Sequence, residues 1–305
     1  MRRFFTLLSR LALAALLAAP LAAVAEDPPP AAPRNAMPAA AAAARAALVR
    51  GPSEVKLRDQ AVLQLPEHFG FIPRKQGADL MSAMGNRVGD DFLGLIMPLE
   101  RGDSHANWFV TVDYDPAGYV KDDDAKHWDA DKLLKSLKDG TEAANAERAK
   151  MGVPPIVVTR WIEPPAYDPA THRLIWSAEA KLKNGTDDDP TINYNTYVLG
   201  REGYLELNLI TSTSEVDSDK AAARELLSAV KFNSGKSYGD FNSSTDKVAA
   251  YGLAALVAGV AAKKLGLLAL LAATLVKFAK VIAIGAAGGF AALSRWWKSR
   301  TSKSA

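Results

Sequence analysis

Apolar and polar positions divide the chain into four stretches. Leu11–Ala23 is a continuous apolar run behind Arg2, Arg3 and Arg10. Residues 26–52 hold almost nothing large and apolar. Between residues 53 and 240 the two kinds of position alternate in short blocks. From Val248 to Leu293 apolar residues dominate again, interrupted by Lys263-Lys264, Lys277 and Lys280.

The alternating stretch predicts most of the secondary structure. Val55-Lys56-Leu57 and Ala61–Leu65 have the period of two expected of strands, and Pro66 stops the second. Ala78–Met84 reads as a helix ended by Gly85-Asn86, and Phe92–Met97 is an apolar run before Pro98. Trp108, Val110, Val112 and Tyr114 alternate as a strand. Asp129 caps a helix through Lys138 that Gly140 ends, and Thr141 caps a second through Met151. Ile156–Ile162, Leu174–Leu182, Tyr194–Leu199 and Tyr204–Thr211 are strand-like, separated by turn chemistry at Asp168–Thr171, Asn184–Thr186 and Arg201–Gly203. A helix from about Asp217 to Val230 follows, with Ala222, Leu226, Leu227 and Val230 on one face. These elements predict an α+β domain over residues 53–245, an antiparallel sheet with flanking helices.

The ends carry address information. Residues 1–25 read as a signal peptide: a basic start, an apolar core shorter than the ~20 residues a spanning helix needs, and Ala23-Val24-Ala25 before a cleavage point. An uncleaved signal anchor is the alternative. Of the 27 residues from 26 to 52, 17 are Ala or Pro, so this stretch is expected to be a linker outside any core. Folding is expected to begin near Ser53.

Charge sharpens the division. Residues 26–245 hold 25 basic and 33 acidic side chains, whereas residues 246–305 hold 9 basic and one acidic. The second segment reads as a basic, apolar, helical membrane anchor. One straight helix over Val248–Leu293 would run about 69 Å, more than twice the ~30 Å hydrocarbon core. A single crossing that leaves the basic end in the cytoplasm, a hairpin, and an amphipathic segment lying in the interface all remain open. Gly285 and Gly289 are spaced to pair helices. The expected location is the inner membrane, with the main domain in the periplasm. The acidic domain and this compartment disfavour nucleic acid.

Candidate chemistry is sparse. There is no cysteine, which excludes disulfides, thiol catalysis and thiolate metal sites. Gly235–Gly239 spells G-x-S-x-G, but a helix precedes it and His68, His105, His127 and His172 all lie upstream, so it reads as a turn. Asp113, Asp115 and Asp124 occupy positions 1, 3 and 12 of a twelve-residue loop with Gly118 at position 6, the spacing of a calcium loop. Ala117 at position 5 and the short side chain at position 12 depart from that pattern, and a solvated acidic turn is the competing reading. Calcium is thus the only cofactor in view. Glu202 and Glu206 are expected to form ion pairs on a wet sheet face. Tyr119 and Trp128 flank a polar connection, and Tyr119, Lys121, Asp122, Asp123, Asp124 and Trp128 form the expected binding surface for an envelope partner.

Several motifs together resemble one bacterial family. They are Gly118–Asp124, Asn145–Arg148, Trp161 with Pro165–Asp168, Leu199–Gly203, Tyr238–Phe241 and Ala249–Leu253. The family comprises membrane-anchored proteins of Gram-negative bacteria with no assigned function. The resemblance runs from about residue 53 into the tail, and it implies an exported domain with a C-terminal anchor and no catalytic residues to carry over. In outline the domain is also similar to small α+β domains of the PsbP and Mog1 type. The function expected is a non-catalytic binding or scaffolding module of the cell envelope, with a carboxylate-dependent envelope hydrolase as the alternative.

Overall fold

The computed structural model describes residues 36–84, 86, 88–99, 108–150, 154–185 and 190–258. The expected signal peptide and most of the expected anchor, with Gly285 and Gly289, lie outside them. Among the described residues no helix is long and apolar enough to cross a membrane.

Eight antiparallel strands form the main sheet, in the order β1 (Val49–Arg50), β4 (Phe69–Pro73), β5 (Phe92–Pro98), β6 (Phe109–Asp115), β10 (Tyr204–Ser212), β9 (Thr191–Leu199), β8 (Arg173–Leu182), β7 (Ile156–Asp168). The connection after β6 carries helix α3 (Ala130–Lys150) to the far edge, and β7 to β10 then return as a meander. A three-stranded sheet pairs β3 (Ala61–Leu65) with β2 (Ser53–Leu57) and β11 (Val230–Phe232). The expected α+β class is thus observed. β7 runs through Pro164-Pro165 with repeated register shifts. It tolerates them because it is an edge strand, where a missing N–H breaks no ladder.

One face of the large sheet supports the small sheet and helix α4 (Val216–Ser228), through Val112, Tyr194, Leu205, Leu207, Ala223 and Leu226. Fully burying a leucine such as Leu205 or Leu207 stabilises by about 1.5–3 kcal/mol. On the opposite face the packing is divided in two. Helix α1 (Ala36–Ala46) and helix α2 (Arg74–Ala83) cover Ile72, Phe92, Leu95, Phe109 and Ile210. Helix α3 and the short helix α5 (Ala254–Ala258) cover Leu174, Trp176, Ala178, Tyr197 and Leu199.

Four expectations need correction. The domain does not start at Ser53: Ala44 is 2% exposed, α1 packs on α2 and β4, and Val49 pairs with Phe71. Small alanines permit that close approach, so low side-chain bulk did not mean exclusion from the core. Nor does the domain end at residue 245, since Ala249, Leu253, Leu256 and Val257 are buried against Leu133 and Leu137. The two helices expected around Gly140-Thr141 are one. Gly140 lies on the buried face, and Thr141 donates its hydroxyl to the Leu137 carbonyl (2.8 Å) instead of capping. Val230 ends up in strand β11, where it pairs with Leu63, outside the preceding helix.

Candidate functional site

Strand β6 delivers the chain to a crowded corner. Gly118 adopts φ +96°, and a Cβ there would stand 2.5 Å from the Lys247 carbonyl oxygen, so only glycine lets the two segments meet. The Tyr119 N–H donates to Lys247 O (2.8 Å) and the Ala249 N–H to Tyr119 O (2.9 Å), a parallel bridge between Tyr119 and Val248. The Tyr119 ring stacks on Phe241 (centroids 3.8 Å) and on Tyr238 (4.3 Å), and Tyr238 lies 4.2 Å from the His172 ring. Four rings thus form a column joining the β6 connection, the 238–241 turn and the tip of the β7–β8 hairpin.

A hydrogen-bonded chain runs beside this column. The Tyr167 hydroxyl donates to Asp122 Oδ2 (2.7 Å) and lies 3.1 Å from His172 Nδ1. With its proton committed to the carboxylate, the phenol accepts from His172, which places the imidazole proton on Nδ1 and leaves Nε2 as an acceptor. His172 is half-buried, and its Nε2 has no hydrogen-bond partner among the described residues. Burial, then the Asp122 bond and charge, push the Tyr167 phenol far above its ordinary range.

The residues expected to bind a partner are therefore brought together, with different assignments. Asp122 holds Tyr167. Asp124 accepts the N–H groups of Leu253 (3.1 Å) and Ala254 (3.0 Å), and the Lys121 carbonyl accepts Leu253 N–H (3.2 Å). Trp128 packs, half-buried, against the α3–α5 cluster. The side chains of Lys121 and Asp123 are exposed, and Asp123 pairs with Lys126. The connection thus docks the chain's own residues 247–258.

The calcium loop is not formed. Strand pairing continues through Asp115, so Asp113 sits opposite Glu206 and Asp115 opposite Tyr204, whose hydroxyl donates to Asp115 Oδ2 (2.7 Å). Asp124 is used as described above. Among the described residues, no group of three or more carboxylate or imidazole side chains is arranged to hold a metal ion. The Gly235–Gly239 motif is a turn, in which Ser237 and Asp240 form a capping box. Glu202 and Glu206 do not share a face. Glu202 lies in the β9–β10 turn and accepts from Lys236 (2.8 Å) and Gln60 (2.9 Å).

A second polar cluster lies on the sheet itself, between the two apolar patches of the divided face. Register places Trp176, Asn195, Asn208 and Thr111 side by side across β8, β9, β10 and β6. The adjoining row is Leu174, Tyr197, Glu206 and Asp113. Tyr197 donates to Glu206 Oε1 (3.0 Å), and Asn208 Nδ2 donates to Asn193 Oδ1 (3.3 Å). Burial, reinforced by the Asp91 charge, raises the Asp113 carboxyl to about 7. Sequence reading missed this row. Its signal, Asn193-x-Asn195 and Glu206-x-Asn208 alternating with apolar residues, ordinarily marks a wet face, yet here the asparagines are 1% exposed.

The fold and these clusters define an α+β protein on an open antiparallel sheet, with a self-docked C-terminal segment and a polar row within one face. The chain belongs to the family described as "Protein of unknown function (DUF2167)", which matches it over residues 49–287. No curated protein matches the chain. Among solved structures, it is similar to cyanobacterial PsbP (CyanoP) from Synechocystis sp. PCC 6803, with 12% identity and TM-score 0.35 over 62% of this chain and 94% of that one. It is also similar to the Saccharomyces cerevisiae Ran-binding protein Mog1p, with 13% identity and TM-score 0.35 over 59% and 94%.

Proposed function

We propose that the protein is an exported, non-catalytic binding module of the cell envelope. In this reading, residues 1–25 direct export and the basic apolar tail holds the domain at the periplasmic side of the inner membrane. Recognition of an envelope protein falls to the corner built from Gly118–Trp128, the β7–β8 hairpin tip and the 238–241 turn. The observation that carries it is the Asp122–Tyr167–His172 chain, which holds a half-exposed imidazole in one tautomer with an acceptor nitrogen on offer.

Photocrosslinking in living cells tests this reading, with a photoreactive residue at exposed Lys121 and a control at exposed Lys75 on α2. A discrete protein adduct at position 121 alone supports it. Equal labelling at both positions, or none at either, removes it. A carboxylate-dependent envelope hydrolase is the second reading, favoured by Asp113, whose carboxyl is raised to about 7, standing opposite Glu206. Turnover of an envelope polymer that is lost in Asp113→Asn would establish it.

A further inference from the structure

We infer that the free edge of strand β2 is a self-pairing surface, at which a second copy of this chain adds its own β2 antiparallel about a two-fold axis. In the small sheet β3 is central, and β2 has no strand on its other side among the described residues. The backbone of β3 fixes which groups of β2 are left over. The Gln64 N–H donates to Ala229 O (3.0 Å) and the Asn233 N–H to Gln60 O (2.9 Å), so the even-numbered positions from 60 to 64 face β11. Ala61, Leu63 and Leu65 therefore face β2, where they oppose Leu57, Val55 and Ser53. Glu54 and Lys56 point their N–H and C=O groups the other way, to the open edge.

The side chains select the partner. Glu54 and Lys56 are exposed, while Val55 and Leu57 are buried against the large sheet. Centring an antiparallel pair on Val55 sets Glu54 of each copy opposite Lys56 of the other. Each such pair exchanges both backbone hydrogen bonds and brings opposite charges together, and the two-fold axis makes two of them. Centring one residue earlier or later instead sets Glu54 on Glu54 or Lys56 on Lys56. Lysines alone on an edge keep copies apart, whereas a carboxylate and an ammonium two residues apart attract in this register. Lys56 has no ion pair among the described residues, and Glu54 accepts an exposed bond from the Gln64 amide (3.1 Å). Both charges are thus available. Five residues a side fall well short of the roughly 20–30 of a stable interface, so the pairing is weak and reversible.

Neither residue belongs to the Tyr119 corner, and the pairing stands or falls separately from the envelope reading. Sedimentation equilibrium of the full-length protein in detergent tests it, with Lys56→Glu, Glu54→Lys and the two combined. Wild type is expected to dimerise with rising concentration. Each single reversal should weaken dimerisation about tenfold, and the double reversal should restore it. Hydrogen exchange reads the register: the Glu54 and Lys56 amides should gain protection on concentrating the protein, while those of Val55 and Leu57 stay unchanged. Circular dichroism confirms that the variants, altered only at exposed positions, are folded. A monomer at every concentration overturns the inference, and the two charges then only guard the edge. So does a dimer that both single reversals leave intact, whether held by Gly285 and Gly289 or by another surface, or one that the double reversal fails to restore.

Discussion

The carboxylate of Asp124 accepts the backbone N–H of Ala254 at 3.0 Å, across 130 residues of chain. The same carboxylate takes the Leu253 N–H, so one side chain supplies the cap of α5 and pins the segment that leads into the basic tail.

Asp124→Ala is expected to lower stability by about 1 kcal/mol, the usual cost of an aspartate cap. Hydrogen exchange discriminates this from a general loss. Amides of residues 249–258 should lose protection selectively, while those of β9 and β10 keep theirs. Uniform change across the domain would mean that the cap is not what holds the segment.

Removing the Tyr167 hydroxyl strands two partners at once. Tyr167→Phe should cost about 1–2 kcal/mol, because Asp122 and His172 Nδ1 both lose a hydrogen bond. Nitrogen-15 spectra of the neutral imidazole should show the Nδ1–H tautomer for His172 in wild type and a mixture in the variant. A wild-type imidazole already in the Nε2–H form would contradict the chain of bonds described above.

Asp113 makes stability depend on pH in an unusual direction for a carboxyl. Its folded value of about 7 lies above the ordinary 3.8, so the native chain retains a proton that the unfolded chain has released. Stability from this group is fully present below about pH 4 and declines as pH rises toward 7. Asp113→Asn should therefore gain on wild type between pH 4 and 7, by on the order of 1 kcal/mol given the group's partial exposure. Urea denaturation of both proteins at several pH values reads the difference.

Asp246 has the opposite sign. Arg201 holds its carboxyl well below the usual carboxylate range through two bonds, Nε to Oδ2 (2.7 Å) and Nη2 to Oδ1 (2.8 Å). This stabilisation is present above the unfolded value and is lost as pH falls toward the folded one. The melting temperature of Asp246→Asn should lie below that of wild type at neutral pH, and the gap should narrow below about pH 4. Arg201→Lys should resemble Asp246→Asn, since an ammonium cannot reproduce the fork.

Local pattern carried the sheet well and its surroundings poorly. The β2–β3 hairpin, β6 and the β8–β10 meander follow from alternation and turn chemistry, whereas β5 is visible only as an apolar run. β4 was missed because Phe69-Gly70-Phe71-Ile72 is buried throughout and shows no alternation. Gly140 has the local character of a helix stop, and its place on the buried face of α3 is not a local property. The corner at Tyr119 was half legible. The loop was found, but Tyr167, His172, Tyr238 and Phe241 come from segments 48 to 122 positions away, and nothing in their spacing announces that they meet. Asn195 and Asn208 fall inside strands that the pattern predicts, and only the packing on either side of them reveals that they are buried.

The docked segment 247–258 also has a mechanical meaning. Tension applied to the chain beyond Ala258 reaches the domain first at the buried side chains of Leu256 and Val257, and next at the two Asp124 bonds. It is then shared with the Tyr119–Val248 bridge and the Arg201–Asp246 fork, before any strand of the main sheet is loaded. Peeling residues 247–258 away would strip one side from the Tyr119 corner while leaving β6 and β10 paired. Such peeling would alter the half-exposed surface around Asp122 and His172.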